Sequence, residues 1–340
     1  MSASAPTGVQ GATVAGLGQI LAAGGQELGG LLERAEHRLE QIAIGHGPAL
    51  GQHASRTTGA GGKRLRPMLV FLCGAGGDGQ YAGGLVRAGV AVELVHTATL
   101  VHDDVLDRAA LRRGRPTVYR LGGRAAATAT GDLLFSRAFA ELAATGVAQS
   151  VRALSSASSA LARGELMQRA DAWSASVTIE RYLVRCRLKT AQLFEAACRL
   201  GALLGGPGAA AAPRLGAYGD RIGVAFQIFD DVLDVSGPTE RTGKARGADL
   251  LDGTVTLPLI LARERDPDLR ALDLRSEVTD PAAAEAVCDR IAATGALETA
   301  RERALGFVAE AKSELAQTAV GTRSREALGL VADGVVERYS

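Results

Sequence analysis

Asp103-Asp104-Val105-Leu106-Asp107 recurs, residue for residue, as Asp230-Asp231-Val232-Leu233-Asp234. Each copy sets carboxylates at i, i+1 and i+4. On a helix, i and i+4 stand on one face a turn apart, so Asp103 sits beside Asp107 and Asp230 beside Asp234. Like charges at that spacing repel. Each copy also follows an apolar helical stretch (Leu100, Val101; Phe226, Ile228, Phe229), and carboxylates beside a core are costly without metal or basic partners. A single copy reads most simply as a cap or a solvated loop pair. Two identical copies read as two helices facing a common cavity, and two opposed acidic faces form a hard-oxygen cage suited to Mg²⁺, which takes one or two carboxylates with water and substrate phosphates.

Working outward from these stretches, the chain reads as helical throughout. No proline falls between Pro116 and Pro207, and Ala, Leu, Arg and Glu dominate that span, which favours long helices. Alternating β-branched runs and Asn-Gly hairpins are scarce. Apolar residues recur at spacings of three and four at Leu28, Leu31, Leu32 and Leu39, and again at Leu183, Leu188, Leu193 and Phe194. Breaks are predicted at 45–48, 59–62, 74–79, 114–116, 205–213, 236–253 and 266–268. The reading is an all-α bundle of long helices: a tail over residues 1–25, then one domain over 26–340.

Composition narrows the function. The chain has 340 residues, a formal net charge of +1 and only 4% aromatic residues. That leaves no basic footprint for nucleic acid and little surface for base stacking. Cys73, Cys186, Cys198 and Cys288 lack metal-ligand or disulfide spacing and read as buried thiols of a reducing compartment. Residues 1–26 carry no charged side chain and lack a basic signal-peptide start. No stretch reads as the roughly 20 continuous apolar residues of a membrane span. The location expected from this is cytoplasmic.

Basic residues bracket the acidic pair. Lys63, Arg64 and Arg66 follow Gly61-Gly62; Arg112, Arg113 and Arg115 follow the first acidic motif; Lys189-Thr190 lies between the two, and Lys244 follows the second. Any one reads most simply as a solvated charge. Together they suit a substrate whose phosphates meet metal on one side and Lys or Arg on the other.

These stretches resemble the trans-isoprenyl diphosphate synthase, or polyprenyl synthetase, family. The matching segments are GGKRLRP at 61–67, ELVHTATLVHDDVLD at 93–107, LRRGRPTVY at 111–119, GDLLFSRAF at 131–139, LKTAQLFEAACRLG at 188–201, FQIFDDVLD at 226–234 and GKARGADLLDGTVTLPLI at 243–260. The resemblance implies the isoprenoid synthase fold, a bundle of long helices around a deep cavity, as a homodimer. It implies head-to-tail (1′–4) condensation of isopentenyl diphosphate with an allylic diphosphate, farnesyl or geranylgeranyl. Asp103, Asp107 and Asp230 match Mg²⁺ ligands, with Asp104, Asp231 and Asp234 in support; three Mg²⁺ per site are implied, with Mn²⁺ as an alternative. Lys63, Arg66, His96 and Arg113 match the isopentenyl diphosphate site. Arg112, Lys189, Thr190, Gln227 and Lys244 match the allylic diphosphate site.

Two positions depart from the family pattern. Thr254 stands where a second lysine is common, with Arg246 as a substitute cation. Arg108-Ala109-Ala110 follows the first motif where acidic residues are common. In the resemblance, Ala98 and Thr99 lie at the floor of the tunnel that receives the growing chain. Small side chains there imply a geranylgeranyl or longer product, unless Phe135, Phe139 or Met167 closes the tunnel deeper down. Release of such a product implies transient membrane contact. Two alternatives stand beside this reading: a class I terpene cyclase, and a subunit of a heteromeric synthase.

Overall fold

The computed structural model describes residues 9–45, 48–59, 63–76, 79–112, 114–237 and 246–337. Two of the residues singled out above, Arg113 and Lys244, lie outside the described residues. In chain order the first helices are α1 (Val9–Ile44), α2 (Pro48–Thr58), α3 (Leu65–Gly74), α4 (Ala82–Leu106), α5 (Val118–Ala143), α6 (Ala148–Asp171), α7 (Ile179–Cys186), α8 (Gln192–Leu204) and α9 (Ala212–Ser236). A π-helical turn, Arg187–Ala191, joins α7 to α8 without a break. Shorter helices follow, then Pro281–Ala293, Ala296–Ala316 and Thr322–Glu337. The only sheet among the described residues is a two-residue antiparallel ribbon, β1 (Leu111–Arg112) with β2 (Arg115–Pro116), paired Leu111 to Pro116. The all-α expectation holds.

The proline-free span forms α5 to α8, interrupted at 144–147 and at 172–178, where the Thr178 side chain accepts from the Arg181 amide and caps α7. Apart from Arg87 and Glu93, α4 is apolar over most of its surface until its last turns, the mark of a central core helix. Leu85, Val90, Val92, Leu94, Val95 and Ala98 are fully or almost fully buried, and α1, α3, α5 and α8 pack around it. By length and average hydropathy α4 resembles a membrane span, yet most of it is buried inside the protein, as in the core helix of a folded bundle.

Helix runs through part of the stretch read as a tail. Helix is present from Val9, with a left-handed break at Gly25 (φ 72°) where the tail was expected to end. The uncharged Ala- and Leu-rich run is compatible with helix, and Ile20 packs into the core with Leu17 and Leu21 beside it. The next part of α1 buries Leu28, Leu31, Ala35, Leu39 and Ile42.

Two buried glutamates brace the bundle. Glu141 of α5 meets Arg38 of α1 at 2.7 Å and Arg87 of α4 at 2.9 Å. Glu93 of α4 meets Arg64 at 2.6 Å. Arg64 is held in the left-handed region (φ 48°) at the start of α3 and also bonds Glu36 of α1 and the Thr58 carbonyl. Such a pair costs about 3–5 kcal/mol to break from one side, because a buried charge is left alone. Arg64, although part of the basic turn at 61–67, is thereby a structural residue.

Candidate active site

Both acidic motifs end long helices. Asp103, Asp104 and Asp107 close α4, and Asp230, Asp231 and Asp234 lie in the last two turns of α9. A helix C-terminus carries negative partial charge, so carboxylates there are disfavoured. The two copies resolve this in the same way. In each, the second aspartate turns inward and is bonded. Asp104 (5% exposed) accepts from Arg112 Nε at 2.8 Å. Asp231 (3% exposed) accepts from Tyr182 Oη at 2.7 Å and from Gln227 Nε2 at 2.8 Å. Asp107 and Asp230 are exposed, and Asp103 and Asp234 half-buried. Asp234 accepts from the Asp249 amide at 3.2 Å, at the start of the short helix Ala248–Leu251.

Cations stand against the first motif. Arg169 of α6 reaches Asp107 at 2.8 Å and Glu165 at 3.0 Å. Lys189 reaches Glu165 at 2.5 Å. Burial pushes the Asp103 carboxyl up to about 6; Glu165 and Asp107 push the same way, while Lys189 and Arg112 oppose them. Burial likewise raises the Asp104 carboxyl, against the pull of Arg112. It pushes Asp231 up to about 7, although the Tyr182 and Gln227 hydrogen bonds favour its charged form. A site that holds carboxylates at this cost is built to receive positive charge.

The π-turn between α7 and α8 joins the two motifs. Its two central residues face opposite ways: Lys189 bonds Glu165 near Asp103, and Thr190 Oγ1 donates to Gln227 Oε1 at 2.6 Å beside Asp231. Single π-turns inside α-helices recur at functional sites because they rotate side chains out of the regular register. Two glycines make room for this one. A β-carbon on Gly164 of α6 would lie 2.6 Å from the Lys189 amide nitrogen, and one on Gly223 of α9 would lie 2.5 Å from the Ala191 α-carbon.

The remaining residues singled out from the sequence are spread along α3 and α4. His96 is half-buried and lies seven residues before Asp103, on the same helix face. Lys63 is exposed just before α3, and the Arg66 guanidinium lies 4.7 Å from the centre of the Phe194 ring. Thr99, one turn before Asp103, is half-buried and donates to the His96 carbonyl at 2.8 Å. Ala98 is fully buried. Of the residues considered for closing a tunnel, Phe135 stacks on His102 at 5.7 Å between ring centres.

Arg246 does not stand in for the missing lysine: it bonds the Val235 carbonyl and Asp289. Thr254 instead accepts from Gln168 Nε2 at 3.4 Å. All four cysteines are buried, and burial raises the thiols of Cys186, Cys198 and Cys288. Glu165, Arg169 and Tyr182 were not singled out from the sequence. The spacing of Glu165 and Arg169 on one face of a proline-free helix is a signal for the first two; Tyr182 carries none.

The donor set fits a hard divalent cation, being carboxylate oxygens flanked by amines and guanidinium groups. Among the described residues no three His, Cys, Asp or Glu side chains form a metal cluster by themselves. Asp103, Asp107 and Asp230 would offer the oxygens.

A family model described as polyprenyl synthetase matches residues 48–292. The chain is 40% identical over 268 residues to heptaprenyl diphosphate synthase component 2 of Geobacillus stearothermophilus, covering 78% of this chain and 83% of that one. Among solved structures, a decaprenyl diphosphate synthase from Rhodobacter capsulatus superposes with a TM-score of 0.83 at 34% identity, covering 93% of this chain and 98% of the other. A polyprenyl synthase from Caulobacter crescentus CB15, complexed with calcium and isoprenyl diphosphate, gives 0.83 at 32% identity, covering 95% and 98%.

Proposed function

Because the chain belongs to the polyprenyl synthetase family, we infer that it is a trans-prenyltransferase condensing isopentenyl diphosphate head to tail with an allylic diphosphate. The observation that carries this reading is the pair of Asp-Asp-x-x-Asp helix ends, each with its second carboxylate buried and its first and last at least partly exposed, flanked by Lys189 and Thr190 of one π-turn.

The residues divide the work as follows. Asp103, Asp107 and Asp230 present oxygens for Mg²⁺, with Asp104, Asp231 and Asp234 holding the helix ends. Bound Mg²⁺ supplies the charge that draws electrons toward the departing diphosphate. Lys189, Thr190, Arg112, Gln227 and Lys244 orient the allylic diphosphate and stabilise the negative charge that develops as its C1–O bond breaks. Lys63, Arg66, His96 and Arg113 hold isopentenyl diphosphate so that its double bond faces the freed allylic C1. A C–C bond forms there, and a proton leaves C2 of the isopentenyl unit. No side chain at the site stands out as a strong base, and the released diphosphate is our choice of acceptor.

We read the product as geranylgeranyl or longer, because no bulky side chain occupies positions 98 and 99. The preferred starter is farnesyl or geranylgeranyl diphosphate. Three Mg²⁺ per site, a homodimer and a cytoplasmic location complete the reading. A second reading, one subunit of a two-component synthase, is supported by the name of the Geobacillus relative, component 2.

The test is product analysis. Purified protein, Mg²⁺, isopentenyl diphosphate and farnesyl diphosphate are incubated, and the dephosphorylated alcohols are separated. Alcohols longer than farnesol support the reading. Cyclic hydrocarbons, or no elongation with any allylic starter and no rescue by added cell extract, overturn it. Elongation only with extract favours the two-component form.

A further inference from the structure

Tyr182 is among the largest fully buried side chains of the protein, at 1% exposure. A buried hydroxyl is kept only where it is bonded. This one donates to Asp231 Oδ2 at 2.7 Å. Arg185 lies 5.5 Å from the centre of the Tyr182 ring, itself anchored on Asp171 and the Val255 carbonyl. The phenol is therefore fixed from two sides.

Beyond Asp231 the bonding continues. Asp231 Oδ1 accepts from Gln227 Nε2 at 2.8 Å, and Gln227 Oε1 accepts from Thr190 Oγ1 at 2.6 Å. The sequence of donors admits one arrangement. Asp231 as carboxylate only accepts, so the Gln227 nitrogen must face it and the Gln227 oxygen must face Thr190. The line starts in α7, crosses α9 and returns to the π-turn, which sits next to Lys189. Without the Tyr182 hydroxyl, Asp231 Oδ2 is a buried acceptor with no donor from α7. The carboxylate is then free to rotate, Gln227 loses its fixed partner, and Thr190 loses its orientation.

We propose that Tyr182 is a positioning residue for the allylic diphosphate: through Asp231 and Gln227 it locks the Thr190–Lys189 turn against the second acidic motif. The proposal rests on the prenyltransferase reading above. It points to one substrate, because the four bonded residues lie on α7, the π-turn and α9, whereas His96 lies on α4 and Lys63 and Arg66 lie at α3.

The test is Tyr182→Phe, which keeps the ring and removes the hydroxyl. KM is measured for each substrate in turn. Binding of Mg²⁺ with an unreactive allylic thiolodiphosphate is measured by calorimetry, independently of turnover. The expected result is an allylic KM and analogue Kd raised about tenfold, as for a buried acceptor stripped of its donor, with the KM for isopentenyl diphosphate unchanged. A variant that melts earlier but keeps both KM values and the analogue Kd overturns the proposal, since a packing role alone would do that. Should Tyr182→Phe fail to fold, the double variant Tyr182→Phe/Asp231→Asn removes the buried charge together with its donor. It must show the same one-sided loss of allylic binding, and equal loss for both substrates overturns the assignment. A wild-type protein that elongates nothing overturns the function and this proposal together; a wild type that elongates while Tyr182→Phe matches it in every constant overturns the Tyr182 assignment alone.

Discussion

Gly164 faces the backbone of Lys189 so closely that a β-carbon on it would come within 2.6 Å of the amide nitrogen and 2.8 Å of the α-carbon. The neighbour is main chain and has no rotamer by which to yield. Gly164→Ala is expected to cost about 1–3 kcal/mol by overpacking and to displace the π-turn, with turnover falling further than stability. Gly223→Ala, against Ala191, should behave alike. Gly306, within the helix Ala296–Ala316, has nothing within 4 Å of its virtual β-carbon, and Gly306→Ala should be neutral or stabilising by about 0.5–1 kcal/mol. Melting curves and initial rates of the three variants check this; equal effects at all three would remove the clamp from the account.

Arg169 neutralises Asp107 in the absence of metal, and both side chains are largely exposed. An exposed pair is worth about 0.2–1 kcal/mol, and a metal ion must compete with it. Arg169→Leu is expected to lower the Mg²⁺ concentration for half-maximal activity about two- to fivefold, with kcat little changed. A higher Mg²⁺ requirement would show instead that Arg169 assists the loaded site.

Acid should compete with metal. The folded protein holds the Asp103 and Asp231 protons more tightly than the unfolded chain does, with carboxyls at about 6 and about 7 against 3.8. Between 3.8 and about 7 the folded state binds more protons, so these groups add stability at low pH and lose it as pH rises through that window. The metal-free protein should therefore lose stability as pH is raised from about 4 to about 7, and Asp231→Asn should flatten that slope. The Mg²⁺ needed for half-saturation should fall over the same interval. Melting temperatures with and without Mg²⁺ across the range decide it.

Product length should respond at the residues just before the first motif. Thr99 is half-buried one turn from Asp103, whereas Ala98 is fully enclosed. Ala98→Phe and Thr99→Phe are both expected to shorten the product, and Thr99→Phe with less loss of stability, since Ala98 is fully buried and Thr99 only half-buried. Chromatography of the alcohols reads this directly; unchanged length in both would place the tunnel floor elsewhere, Phe135 being the next candidate.

Much of the fold was legible because it depends on local chemistry. The two Asp-Asp-Val-Leu-Asp segments declared their helices through the i, i+4 spacing, and the missing prolines after Pro116 declared α5 to α8. What stayed hidden depends on contacts between distant residues. Tyr182 and Asp231 meet only through packing of α7 on α9. Gly164 looks in sequence like a residue that weakens a helix, and its value shows only against Lys189. Glu165 and Arg169 look like an ordinary helical ion pair until Asp107 arrives from α4. The π-turn inserts a single residue into a continuous helix, and no change in composition marks it. The helix from Val9 was not legible because uncharged Ala-Gly-Leu sequence suits a helix as well as it suits a tail.

The bracing of Glu141 and Arg64 by α1 bears on how shortened versions of the protein would behave. A version beginning at Pro48 would retain both acidic motifs and every basic residue assigned to the diphosphates. It would lose Arg38 and Glu36, leaving Glu141 and Arg64 each without one counter-charge. It would also uncover the apolar groove that receives Leu28, Leu31, Leu39 and Ile42, each worth about 1.5–3 kcal/mol when buried. Such a fragment would carry all of its chemistry on a scaffold prone to precipitate, and its silence in an assay would report on solubility instead of catalysis.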